Sequence, residues 1–471
     1  MVPDVLFCDQ TLETTLKATA KSKKVVVRPN SANNKSSSPG PVNPILTLWN
    51  QVPTDHRQCF LSFFVTHHIA NPEASATYMT EGKSPLLNAC GIALGAALLS
   101  ITTNDASITF EARKHYVRAL STTNAALRDP DAARRDETLL AVLLLTSFET
   151  IAGEKEPTLA GWTSHVDGAT SLLLFRGPEQ FRRPGTRFLF AKACILILTV
   201  CVWADMPVPR PIRELYDEML RNVQDGTAPI WQMLGCSMDF TDLCSELNSG
   251  VELNPNTIIT KALAIDGRYV ELFGMCKDEW TPEVCGPAGR CVDGLPLYYN
   301  LFSNRAALHQ TSRIAGNRLM LHDTILRALR HPAVDPKLQV YCDTSLQTCL
   351  QLQRLIVASI PQDLGFRICP AELDPLFEDC INGRPERLPL AEDFVCQDRR
   401  KFLLPDAEKS PLPIMLDLGG YGLLWSLVVV GISDTSTRKV KLFVKKLLWY
   451  LGVRRRIAQA SVLVAIVAES C

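Results

Sequence analysis

The sequence predicts an all-α protein, a multi-helix array of packed helical hairpins preceded by a disordered basic N-terminal arm. Three observations carry this. Apolar residues recur at three- and four-residue spacing in one segment after another. Period-two alternation is nearly absent, and KVVVR at 24–28 is the only compact β-like run. Pro, Gly and Asp stand where helices should start and stop.

The arm comes first. Residues 14–54 hold no acidic side chain and six basic ones: Lys17, Lys21, Lys23, Lys24, Arg28 and Lys35. The middle reads RPNSANNKSSSPGPVNP. So few apolar groups cannot offset the entropy of ordering the chain. Residues 1–43 are therefore expected to be a basic, Ser/Pro-rich arm or linker, and residues 44–471 one helical domain.

The helices follow in order. Residues 57–69 form a short aromatic helix. Ser84-Pro85 supplies an N-cap and a first-turn proline for a small-residue helix over 84–101. Over 108–128, Ala112, Tyr116, Ala119, Leu120, Thr123 and Leu127 share one face, and Asp129-Pro130 ends the run. Asp136 caps a core helix, DETLLAVLLLTSFET. Residues 159–176 place Trp162, His165, Ala169, Leu172, Leu173 and Arg176 on one side, and Gly177-Pro178 stops them. The stretch 206–300 is less regular. Prolines at 207, 209 and 211 are followed by helical material at 213–220, and Cys276–Gly294 reads as a loop. Helices return at 303–330 and 336–359, and the prolines of 361–412 predict long loops. Near the end, Val440, Phe443, Val444, Leu447, Leu448 and Leu451 make an i, i+3, i+4 stripe.

Composition narrows the class. Hydrophobic residues are 46% and charged residues 21%, with 49 basic against 49 acidic side chains. That describes a core-rich globular chain and excludes a strongly basic nucleic-acid coat. The N-terminus does not have the charge and apolar order of a secretory signal, so the 16 cysteines are expected to stay reduced. No Cys-x-x-Cys occurs, and most cysteines read as small buried hydrophobes. The apolar stretches 188–204, 423–432 and 457–468 are interrupted or shorter than the roughly 20 residues of a span. They read as core helices, not membrane segments.

The search for chemistry finds no phosphate-binding loop, dinucleotide fingerprint, nucleophile elbow or His-Glu-x-x-His. No catalytic, cofactor or metal residue is therefore assigned. His67 and His68 are adjacent and would point about 100° apart on a helix, so they do not chelate as an i, i+4 pair. His165 reads as a core histidine. His322 beside Asp323 suggests acid–base work without a placed nucleophile. Trp162 and Trp425 read as core anchors, with a ligand cavity between helices as the alternative. Two basic runs remain. Lys17, Lys21, Lys23, Lys24 and Arg28 suit a nuclear-import signal or a phosphate-contacting arm, or a plain solvated tail. The eight basic residues of 438–456 suit a solvated helix face, or a groove for a polyanion.

Four segments in order resemble a known family: SPLLNACGIALGAALLS (84–100), ARKHYVRALSTTNAALRDP (112–130), DETLLAVLLLTSFET (136–150) and GWTSHVDGATSLLLFRG (161–177). Together they look like the regulatory domain of fungal zinc-cluster (Zn2Cys6) transcription factors. The positions carrying the resemblance are Tyr116, Ala119, Leu120, Leu144, Phe148, Glu149, Trp162, His165, Gly168, Ala169, Leu172, Leu173, Arg176 and Gly177. Residues 421–438 also resemble that domain's end. The resemblance implies a nuclear transcription regulator, acting on a secondary-metabolite or nutrient-use gene set and performing no reaction. It implies protein partners from the transcription machinery, an intact zinc-cluster relative or a second copy, and no membrane.

The family's DNA reader is a six-cysteine cluster holding two zinc ions. Here Cys8 is the only cysteine before Cys59, so no zinc is expected in this chain. DNA would be reached only indirectly or through an N-terminal module missing from it. The alternatives to a regulator are an all-α enzyme using His165, His322 or a cysteine, and a non-catalytic ligand-binding scaffold.

Overall fold

A computed structural model describes residues 56–68, 84–103, 105–152, 159–222, 228–286, 289–303, 305–364, 423–453 and 457–470. The basic arm with its KVVVR run, and the proline-rich stretch beyond Leu364, lie outside them. The chain divides into two units, one carrying the described residues through Phe148 and one those from Glu149 onward.

The first unit contains α1 (His56–His68), α2 (Pro85–Thr103), α3 (Ala106–Arg128), a single turn at Pro130–Ala133, and most of α4 (Asp136–Ala152). Ser84 caps α2 as expected: its Oγ accepts the Leu87 amide at 3.3 Å and donates to Glu137 Oε2 at 3.0 Å. The small residues of α2 let α1 approach closely. A Cβ at Gly95 would sit 1.9 Å from the Phe60 carbonyl oxygen, so only glycine fits at that contact. Asp105 caps α3 through the Ser107 amide. Asp129 both ends α3 and caps the next turn, accepting from the Asp131 and Ala132 amides. Asp136 is not a cap but the first helical residue of α4, and it is buried. The predicted face of α3 points inward, with Ala112, Ala119, Leu120, Thr123 and Leu127 buried.

The second unit is larger. After α5 (Leu159–Arg176) come a 3-10 turn at Pro178–Phe181, α6 (Pro184–Trp203), α7 (Arg210–Asn222), α8 (Pro229–Asn248) and α9 (Pro255–Met275). Then follow α10 (Arg305–Leu329), α11 (Tyr341–Leu364), α12 (Leu424–Ile432), α13 (Arg438–Val453) and α14 (Ala458–Ala468). By length and composition alone, Gly185–Trp203 of α6 could cross a membrane. In the fold, Phe190, Ala193, Cys194, Ile197 and Cys201 are fully buried along one face of it.

Two expectations are corrected here. The stretch 206–300 is not irregular: α7, α8 and α9 occupy most of it. Pro229 and Pro255 open α8 and α9 in the first turn, and the Asn254 side chain accepts the Asn256 amide. Cys276–Gly294 is not all loop. The segment holds short strands β1 (Glu283–Cys285) and β2 (Cys291–Val292), which pair antiparallel with β4 (Tyr299–Leu301) and β3 (Leu295–Pro296) respectively. Runs of two or three residues are too short to show alternation. Their ribbon is pinned to α11, where Gln362 accepts the Phe302 amide at 2.8 Å and Asn300 donates to the Leu355 carbonyl at 3.3 Å. The architecture remains all-α.

Two apolar clusters hold the second unit. One joins α8, α9 and α10 through Phe240, Ile259, Tyr269, Leu308 and Ile325. The other joins α10 and α11 to the three last helices, and the α13 stripe of Val440, Phe443, Val444, Leu447, Leu448 and Leu451 lies wholly inside it. Met320 and Trp425 pack against both.

Candidate functional site

Among the described residues, helix α10 carries more buried polar side chains than any other helix of the second unit. Arg318 makes a two-pronged pair with Asp266 of α9, Nε to Oδ1 at 2.6 Å and Nη2 to Oδ2 at 3.2 Å. One turn on, His322 Nε2 lies 3.2 Å from Asp266 Oδ2, and its Nδ1 lies 3.1 Å from Ser345 Oγ of α11. Burial works to raise the Asp266 carboxyl, but the bonds from His322 and Arg318 outweigh it and hold it below its ordinary value.

Asp323 faces elsewhere. Its Oδ1 accepts from Thr435 at 3.4 Å and from the Cys349 thiol at 3.8 Å, and burial holds its carboxyl above the usual range. The adjacent His322 and Asp323 therefore do not form an acid–base pair. A Ser345–His322–Asp266 line has the residue types of a hydrolytic triad. Yet Ser345 is 1% exposed and His322 4%, and Asp266 is already tied to Arg318. No substrate carbonyl can reach that hydroxyl, and the cluster acts as a tie between α9, α10 and α11.

The cysteines carry no better chemistry. The described ones are free thiols. Burial pushes Cys90, Cys201, Cys244 and Cys349 up to about 12, and raises Cys194 as well. A thiol so far from ionising is a poor nucleophile or metal ligand. Among the described residues, no three His, Cys, Asp or Glu side chains gather in a metal-binding group.

A second polar chain crosses the unit higher on α10. The Trp425 indole donates to Asn317 Oδ1 at 3.0 Å, and Asn317 donates to the Tyr269 hydroxyl at 3.0 Å. Ser237 Oγ stands 3.4 Å from that hydroxyl. Trp425 also meets Trp203 edge to face, 5.4 Å between ring centres. Trp425 is thus an anchor with its polar edge satisfied, as its residue type suggested.

Among its described residues the basic C-terminal run is partly a solvated face: Arg438 and Lys439 are exposed and Lys441 and Lys445 half-buried. Lys446 is buried, Lys439 pairs with Asp293, and Lys441 reaches the Ser470 carbonyl at 3.1 Å. The last helix and the strand ribbon flank α13, which sequence periodicity cannot show. Arg454, Arg455 and Arg456 lie outside the described residues, as do the arm residues Lys17, Lys21, Lys23, Lys24 and Arg28.

The resemblance positions fall into two groups. In the first unit, the Tyr116 and Phe148 rings stack 4.4 Å apart, with Leu120 and Leu144 buried nearby in sequence. In the second, Ala169, Leu172, Leu173 and Arg176 are buried along α5, and Gly177 ends it with φ 64°. Gln180 then folds back, its Nε2 donating to the Leu173 and Gly177 carbonyls at 2.9 and 2.8 Å. That side-chain cap was missed in the sequence, where nothing in Gln180 itself announces it. A Cβ at Gly168 would meet nothing, so no packing demands glycine there. Glu149 is half-buried on α4. Trp162 and His165 stand on α5, and their side chains lie outside the described residues, as do those of His67 and His68 on α1.

Residues 42–251 match the family model described as the fungal specific transcription factor domain. That stretch is similar to the fungal specific transcription factor domain. The match spans the Tyr116–Phe148 stack and the whole of α5 with its Gln180 cap, so the ordered motif positions lie inside it. No curated protein and no solved structure matches the chain. The match stops short of residues 421–438, so their resemblance to the domain's end is untouched by it. It also stops short of α9 to α14, which hold most of the polar layer. The similarity over residues 42–251 supports a role in transcription regulation.

Proposed function

We propose that the protein is a nuclear transcription regulator of the fungal zinc-cluster type that works through its helical units, reaching DNA indirectly or through an N-terminal module missing from this chain. The observation that carries this is the family match over residues 42–251, which contains the motif positions in their expected order. The buried cysteines and the tied-down His322 cluster support a platform more than a catalyst. The chain would reach promoters through a protein partner, an intact zinc-cluster relative or a second copy, and would contain no zinc. Its targets would be a secondary-metabolite or nutrient-use gene set. Lys17, Lys21, Lys23, Lys24 and Arg28 would act as the import signal.

Deleting the gene and profiling transcripts tests the proposal. A coordinated change confined to one such gene set is expected, restored by the intact gene and not by a version with those five residues changed to alanine. An unchanged transcript profile under conditions where the protein is abundant would overturn it.

A further inference from the structure

One side of α13 is used up by the core, where Val440, Phe443, Val444, Leu447, Leu448 and Leu451 are buried. At about 100° per residue, Arg438, Leu442, Lys445, Trp449 and Val453 fall on the opposite side. Leu442 is 39% exposed and Val453 41%. Trp449 is half-buried and packs against the core. An apolar line therefore runs along the side of the helix that meets water.

Cations border that line. Among the described residues, the side chains of Arg438 and Lys445 make no ion pair or hydrogen bond. Lys439 and Lys441 stand at the two edges, one held by Asp293 and the other by the Ser470 carbonyl. Helix α13 has no acidic residue of its own. Asp434, just before it, lies 3.8 Å from Arg327 of α10.

Three kinds of partner suit a basic helix face, and the apolar line decides between them. A nucleic acid is held by the cations and gains nothing from Leu442 or Val453. A membrane surface needs a broad apolar face, which two exposed side chains and one half-buried ring do not provide. A helix with acidic and apolar residues on one side matches both features, its apolar anchors recurring at three- and four-residue steps.

We infer that the outer face of α13 binds an acidic amphipathic helix of a partner protein. The apolar residues of that helix lie along Leu442, Trp449 and Val453, and its carboxylates meet Arg438 and Lys445. As the recruiting surface of a regulator, the inference rests on the function proposed above; as a binding surface, it stands apart from it.

The test is fluorescence anisotropy of a labelled peptide titrated with the full chain. The peptide has about 20 residues, long enough to form a helix, with Leu and Phe at helical spacing between Glu and Asp. Saturable binding is expected, and a shuffled peptide of the same composition and polyglutamate should each bind at least roughly tenfold more weakly. Arg438→Glu combined with Lys445→Glu should weaken binding roughly tenfold or more, and Leu442→Asp should also weaken it, with unchanged helical circular dichroism. Lys277→Glu combined with Arg330→Glu changes the net charge equally at exposed sites on other elements and should have little effect. Should the first pair misfold, Arg438→Gln with Lys445→Gln provides the same comparison. No saturable binding, or an equal loss in the Lys277 and Arg330 pair, overturns the surface. Equal binding of the shuffled peptide or of polyglutamate overturns the apolar line. Tighter binding of duplex DNA or of anionic phospholipid vesicles, lost in the Arg438 and Lys445 pair, overturns the protein partner. A transcription reporter separates the two readings. A chain that binds the peptide through α13 and leaves transcription unchanged would sink the regulator and keep the surface, whereas a chain that changes transcription and ignores the peptide would do the opposite.

Discussion

The Tyr116 and Phe148 rings lie face to face, 4.4 Å between centres and 11° from parallel. They join the middle of α3 to the far end of α4, and both are positions on which the family resemblance rests. Phe148 is buried and Tyr116 half-buried. Removing the buried ring loses both its burial and its stacking partner. Phe148→Ala should destabilise the protein by about 3–5 kcal/mol, measured by urea unfolding. A loss under about 1 kcal/mol would show that the stack is incidental.

Gly95 and Gly168 provide a paired comparison. Both are helical, but a Cβ at Gly95 meets the Phe60 carbonyl oxygen at 1.9 Å and one at Gly168 meets nothing. Gly95→Ala forces backbone apart and should cost about 3 kcal/mol or more. Gly168→Ala should be neutral or stabilise by up to about 1 kcal/mol. Thermal melts of the two variants should move in different directions, and a shared direction would contradict the α1–α2 contact.

Asp266 should set an acid limit. Its folded carboxyl is held below the ordinary value of 3.8. The folded state therefore binds the proton more weakly than the unfolded chain, and the stabilisation is complete above about pH 4 and lost as pH falls through the folded value. Asp266→Asn leaves Arg318 without its counter-charge and should cost about 3–5 kcal/mol at pH 7. The gap between the two proteins should narrow as the pH drops below 4, whereas Asp323, held up by burial, works the opposite way. A gap that stays constant from pH 7 to pH 3 would mean the Arg318 pair contributes nothing.

Thiol labelling reads the buried cysteines. Among the described cysteines, iodoacetamide on the native chain should modify the exposed Cys342 first. Cys90, Cys194, Cys201, Cys244 and Cys349 should react only on unfolding, as burial and raised thiol values require. Peptide mapping by mass spectrometry gives the order, and rapid native labelling of Cys349 would refute the packing of α10 against α11.

Much of this was legible in the chain because helices announce themselves locally. Ser84, Asp129 and the α13 stripe each lie within a turn or two of what they control. The face of α3 could be read from spacing alone, and so could the stop at Gly177. What stayed hidden depends on partners far away in sequence. Lys439 meets Asp293, Gln362 holds Phe302, and Trp425 finds Asn317. In 206–300 the run at 213–220 was read as helical but α8 and α9 were missed, and Pro229 and Pro255 stand in their first turns. His322 was set against its neighbour Asp323, when its real contact is Asp266 on another helix.

The central claim is that these helices regulate transcription. The most direct test is to tether the full chain to an unrelated DNA-binding module in a fungal reporter strain. The account predicts that reporter output changes severalfold, up or down, relative to the module alone, and that Phe148→Ala removes the change. Output indistinguishable from the module alone, with the fusion present in the nucleus at equal abundance, would contradict it.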